Sequence, residues 1–163
     1  MRPTKTALRV VLIATLSFAA GAVRADGAAD GLARIIAIHG AAGPWAVAGY
    51  RMGVYALRKL GLEWQSFDLI VEHHSPAKVE YSCIADGAAA ATGASVGKLN
   101  LARVDADAAH VVTIYRKKST GQSVALRPAA SFVKRFASPS GDMDALGRQV
   151  MALPDGAIFE ETK

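Results

Sequence analysis

The chain has 163 residues, enough for one domain with a hydrophobic core, and carries 19 basic and 14 acidic groups, four histidines and one cysteine. Four basic groups (Arg2, Lys5, Arg9, Arg24) and no acids fall in residues 1–25, so the remainder holds 15 against 14, a net +1. That excludes a broad nucleic-acid-binding face, which needs clustered Lys and Arg, and a lone cysteine excludes an internal disulfide.

Arg2, Lys5 and Arg9 form a basic start, residues 10–22 an apolar run, and Val23-Arg24-Ala25 a small-x-small cleavage site before Asp26. This pattern predicts a secretory signal peptide and a periplasmic or secreted mature chain of residues 26–163, with an uncleaved N-terminal anchor as the alternative. No later apolar stretch is long enough to span a bilayer, so no stable membrane span is expected after cleavage.

Residues 30–38 predict a short helix capped by Asp26 or Asp30 and ended at His39-Gly40. Pro44 opens a second helix to Leu60, with Gly61 past its last turn and Arg58-Lys59 matching its dipole. Gly49 and Gly53 share one face of it, where another backbone passes close or a ligand lies flat. Residues 67–72 predict a buried strand, leading through His73-His74-Ser75 to Pro76, where it must stop. A polar connection over 77–82 precedes a small-residue helix over 83–91, ended by Thr92-Gly93.

Strands are expected over 97–104, 109–115 and 123–126. Arg116-Lys117-Lys118, among Ser, Thr, Gly and Gln, reads as a solvated hairpin tip with Gly121 supplying positive φ. A helix over 129–137 and a last one over 141–153, capped by Ser140, complete the chain. The fold class is α+β: a single domain with a mixed β-sheet of about four strands and helices on one face.

Cys83-Ile84-Ala85-Asp86, Thr92-Gly93 and Gly97-Lys98-Leu99-Asn100-Leu101 resemble the core signature of the formylmethanofuran dehydrogenase E-subunit family. Gly49-Tyr50-Arg51-Met52-Gly53, Leu60-Gly61, Leu153-Pro154 and Ile158-Phe159-Glu160 extend the likeness over roughly residues 33 to 160. Members typically carry His-Gly-His-x-Cys-Pro-Gly before the long helix, whose His and Cys look like metal ligands. Here the segment is His39-Gly40-Ala41-Ala42-Gly43-Pro44-Trp45, so only the first His remains, and Ala94 replaces a later Cys. No C-terminal zinc ribbon follows. An exported chain is not expected to perform methanofuran chemistry itself.

The resemblance implies that His39, the His73-His74 pair and Cys83 lie near one another. Zinc or another transition metal needs several N, S or O donors to converge, so these four are the candidate ligands. Adjacent strand residues point to opposite faces, so only one of His73 and His74 is expected to ligate. The same set could hold a haem or another tetrapyrrole axially. Cys83, read at a helix N-terminus that favours thiolate, could act as a nucleophile with a His base and Asp86 as orienter. Asp86 could equally serve the helix's first turn alone. Trp45, Lys98 and Asn100 are candidate cofactor contacts at the mouth; core packing for Trp45 and backbone anchoring for Lys98 and Asn100 are the alternatives. Residues 93–98 miss the phosphate-loop spacing, with Leu99 where Ser or Thr should be. The expected function is binding, delivery or sensing of a transition metal or metal-containing cofactor by an exported homodimer. The alternatives are a thiol enzyme using Cys83 and a structural homodimer with a vestigial site.

Overall fold

The computed structural model describes residues 25–162. Apart from Ala25, the predicted export signal lies outside the described residues.

Helix α1 (Ala25–His39) starts five residues before its predicted start, so Asp26 and Asp30 lie inside it rather than capping it. The early alanines, strong helix formers, carry it outward. It ends at Gly40 (φ +88°), whose amide bonds the Ile36 carbonyl at 2.9 Å. Helix α2 (Pro44–Leu60) has Pro at its start and a left-handed Gly61 after its end, as the local chemistry dictates.

Strand β1 (Leu69–Ser75) alternates: Leu69, Val71, His73 and Ser75 are buried, while Ile70, Glu72 and His74 are half-buried. It stops just before Pro76. Helix α3 (Val79–Thr92) begins four residues earlier than residue 83, with Glu80 in its first turn. The early start is tertiary in origin. It lets Tyr81 meet Trp45 edge-on, with ring centroids 5.2 Å apart.

Helices α2 and α3 touch backbone to backbone. A Cβ on Gly49 would collide with the Ile84 carbonyl, one on Gly87 with the Ala46 carbonyl, and one on Gly53 would lie 2.6 Å from the Ala91 methyl. The close approach inferred from the glycine pair is therefore made by α3.

Strands β2 (Leu101–Asp105), β3 (Val112–Lys117), β4 (Ser123–Pro128) and β5 (Phe159–Thr162) join β1 in a five-stranded sheet of order β2-β1-β3-β4-β5. Only β1 and β2, linked through α3, run parallel. β5 adds one strand to the expected four, pairing Thr162 with Ala125. β2 starts later than expected because residues 96–98 form one tight turn and Leu99 takes φ +53°. The register aligns Val71 with Tyr115 and Tyr115 with Val124, giving one buried face. α2 and α3 lie on that face, and α1 and α5 (Met143–Ala152) pack against them. Asp142, not Ser140, caps α5, accepting from the amides of Asp144 and Ala145. Short α4 (Ala130–Phe136) brings Phe132 and Phe136 to Trp45 in the core. Among the described residues, no helix is long and apolar enough to cross a membrane.

Candidate metal or cofactor site

The α1–α2 junction, the first turns of α3 and the segment before α5 border a cavity of about 300 Å³ that is open to solvent. His39, Trp45, Glu80 and Cys83 line it, with Pro44, Val79, Pro139 and Met143 among its apolar walls. His39 is the last residue of α1. Its Nδ1 lies 2.8 Å from an Asp86 carboxylate oxygen. A carboxylate only accepts, so Nδ1 carries the hydrogen and Nε2 is the nitrogen left for a ligand or a proton. Asp86 follows Cys83 by one helical turn, which places the two on one face of α3.

Cys83 is the fifth residue of α3, not its first, so the helix end does not activate it. Burial, followed by the nearby Asp86 and Glu80 carboxylates, pushes its thiol up to about 11. The expected thiolate is thus a protonated thiol. The same surroundings, a thiol between two carboxylates, favour a cation over an anion.

Trp45 is a fixed wall. Its Nε1–H donates to the Phe136 carbonyl at 2.8 Å, and Tyr81 and Phe132 meet the ring edge-on. Its indole face is spent on the core.

The other predicted contacts lie elsewhere. His73 is fully buried under α3, and burial lowers its pKa to about 4. The neutral ring donates from Nε2 to the Tyr81 carbonyl (3.0 Å) and accepts at Nδ1 from the Thr113 hydroxyl (2.9 Å). No lone pair remains for a metal. His74 points to the opposite face of the strand, with a buried Nε2 that has no hydrogen-bond partner among the described residues. Neither histidine lines the cavity, which corrects the predicted convergence. Lys98 Nζ donates to the Gly93 carbonyl at the end of α3 (2.8 Å), and the Asn100 side-chain oxygen accepts from the Ser95 amide (2.9 Å). Both hold the α3–β2 connection together, remote from the cavity lining. Glu80 was missed because residues 77–82 read as a loop; its position three before Cys83 becomes informative only once the helix starts at Val79.

Residues 38–160 match the family described as FmdE, Molybdenum formylmethanofuran dehydrogenase operon. The chain belongs to the FmdE family. The matched span begins one residue before His39 and ends in β5, so every residue lining the cavity lies inside the FmdE region. The family's description ties it to a metal-related enzyme system. No curated protein matches this chain. Among the described residues of this FmdE domain, no three His, Cys, Asp or Glu side chains are grouped to hold a metal ion. His39 and Cys83 fit a metal as two donors sharing one cavity, but not as a complete coordination shell.

Proposed function

We propose that this is an exported FmdE domain that binds a transition metal, or a small metal-containing cofactor, through His39 and Cys83, and serves in its binding, delivery or sensing. The observation that carries this reading is the Asp86-oriented His39, lining the same cavity as Cys83 and Glu80. Metal-bound histidines usually have their second ring nitrogen held in this way. When bound, the metal would supply Lewis-acid or redox chemistry. The chain's own residues fix the imidazole tautomer and keep the thiol buried.

Elemental analysis of protein purified under metal-replete conditions tests this, with His39→Ala and Cys83→Ala alongside. Stoichiometric metal lost in both variants is expected; metal-free wild type refutes the reading.

A thiol enzyme with His39 as base is the second reading, favoured by the Asp86–His39 bond, which has the form of a base and its orienter. The raised thiol pKa argues against it. Self-association is the remaining element of the proposal. Ile70, Val112, Ile114 and Ala125 are half-exposed on the sheet face opposite α2 and α3. Two such faces meeting would bury them. A dimer in sedimentation, broken by Ile114→Lys, is expected; a monomeric wild type sinks it.

A further inference from the structure

Large apolar side chains on the surface of a small domain are ordinarily scattered singly. Here five are gathered where α3 ends and β2 begins, and none of them lines the His39–Cys83 cavity. Ile38 and Trp64 share a shallow hollow with Arg34 and residues 93–95. The Gln65 amide bonds the Thr92 carbonyl at 2.8 Å, which holds the Trp64–Phe67 loop against the end of α3. Val96 and Leu99 belong to the turn that follows. Lys98 of that turn joins the parts: its Nζ donates to the Gly93 carbonyl at 2.8 Å and stands 5.2 Å from the centre of the Phe67 ring. Leu99 is 90%, Val96 72% and Phe67 67% exposed, so these side chains stand in water rather than at the margin of the core.

Folding does not account for them. Leu99 takes φ +53°, a conformation in which any side chain is disfavoured, and gains no burial in return. Cations are built into the same patch. Arg34 lies over the Trp64 ring, 4.4 Å from its centre, as Lys98 lies over Phe67. Lys117 and Lys118 stand beside them on the hairpin tip, tied to the Phe67 loop by the Lys118 amide, which bonds the Asp68 carbonyl at 2.8 Å. Against these four cations stand Glu63 and Asp68 on the same loop, and the Asp68 carboxylate is taken up by the Ser119 amide and hydroxyl.

An apolar cluster rimmed by cations fits the headgroup region of an anionic bilayer. The apolar groups enter the acyl boundary, and the ammonium and guanidinium groups reach the phosphates. A second copy of this chain fits less well, since two such patches face to face would oppose like charges. We propose that this end of the domain docks reversibly on an anionic phospholipid surface, with Trp64, Phe67, Val96 and Leu99 at the headgroup boundary and Arg34 and Lys98 on the phosphates. The contact is interfacial: the domain lies on the bilayer and does not cross it. It does not depend on what the cavity binds, so it stands or falls separately from the metal reading.

Co-sedimentation of the mature chain (residues 26–163) with vesicles of phosphatidylglycerol and phosphatidylcholine, and with phosphatidylcholine alone, tests it. Omitting the apolar run at residues 10–22 makes the assay report on the folded surface. The mixed vesicles should bind at least about tenfold tighter than phosphatidylcholine, and about 0.5 M NaCl should weaken that binding. Trp64 emission should shift to the blue on binding, a signal that is its own because Trp45, the other tryptophan, is already buried. Val96→Ser with Leu99→Ser should weaken binding at least about tenfold, and Arg34→Gln about fivefold. These side chains are exposed, so both variants should retain cooperative unfolding. No binding to the mixed vesicles overturns the proposal, as does binding that both variants leave intact or that phosphatidylcholine alone matches. A dimer that Leu99→Ser dissolves overturns it too, because a second copy then covers the patch.

Discussion

His73 is a proton-linked element of stability that can be isolated experimentally. Its ring is wholly buried between β1 and α3, uncharged, and bonded at both nitrogens. Burial is the largest cause of its lowered pKa of about 4, with His74 and Arg103 adding to it, against an ordinary value of 6.5. Between those two values the unfolded chain binds a proton that the folded chain refuses, so stability falls as pH falls from 6.5 towards 4 and levels off below. The gap between those two values corresponds to roughly 3 kcal/mol. That is a large share of the typical 5–15 kcal/mol of a small domain. Urea unfolding from pH 7.5 to 4.5 on wild type and His73→Gln reads it directly. The wild type should lose most of that amount across the window, and the variant's curve should be flatter by the same amount. At neutral pH the variant should be about 1–2 kcal/mol less stable, because Gln cannot replace both hydrogen bonds. A wild-type His73 ring signal titrating near 6.5, or parallel curves for the two proteins, would refute the reasoning.

Four further outcomes follow from features elsewhere. With its thiol at about 11 instead of 9.0, Cys83 should be alkylated by iodoacetamide at pH 7.5 about 100-fold more slowly than an ordinary exposed thiol. A fast Cys83 would revive the enzyme reading. Gly87→Ala places a methyl against the Ala46 carbonyl and 2.7 Å from the Tyr50 nitrogen. Both are backbone atoms, so the substitution should lower stability by about 3 kcal/mol despite Ala's better helix propensity, as measured by denaturation. Gly97→Ala, with open space around it, should be nearly neutral. Leu99 is 90% exposed in a left-handed conformation. Leu99→Gly should raise thermal stability slightly, by about 0.5 kcal/mol, because the strain relieved exceeds glycine's chain entropy; a fall would disprove that.

Features fixed by neighbouring residues could be read in advance. Pro44 and Gly61 bracket α2, Gly121 closes the β3–β4 hairpin, and Pro76 marks the limit of β1. The His39–Cys83 pairing at one cavity was also anticipated, through the family resemblance. The start of α3 was not, since only the packing of Tyr81 on Trp45 makes residues 79–82 helical. The misplaced boundary then carried three errors: Glu80 as a loop residue, Cys83 as an activated thiol, and Asp86 as a first-turn carboxylate. His73 was misassigned for a different reason. Period-two alternation says that one of two adjacent histidines faces inward, but not whether a carbonyl and a hydroxyl already wait there. β5 escaped notice because Phe159-Glu160-Glu161-Thr162 has one buried apolar residue and only β4 to define it.

The glycine contacts between α2 and α3 bear on how this pocket can change in evolution or in the laboratory. Trp45 stands on one helix and Cys83 on the other, and carbonyl oxygens resting on α-carbons fix their separation. At Gly49 and Gly87 the nearest partner is a backbone carbonyl, with no side chain to trim, so substitution there can wedge the helices apart but cannot draw them closer. New ligand preferences must therefore come from residues 39–43 and from the stretch before Met143, the edges of the pocket that are loop or helix end. Those are also the positions where His39-Gly40-Ala41-Ala42-Gly43 already departs from the family's usual pattern. A library confined to them would explore specificity at little cost to the fold.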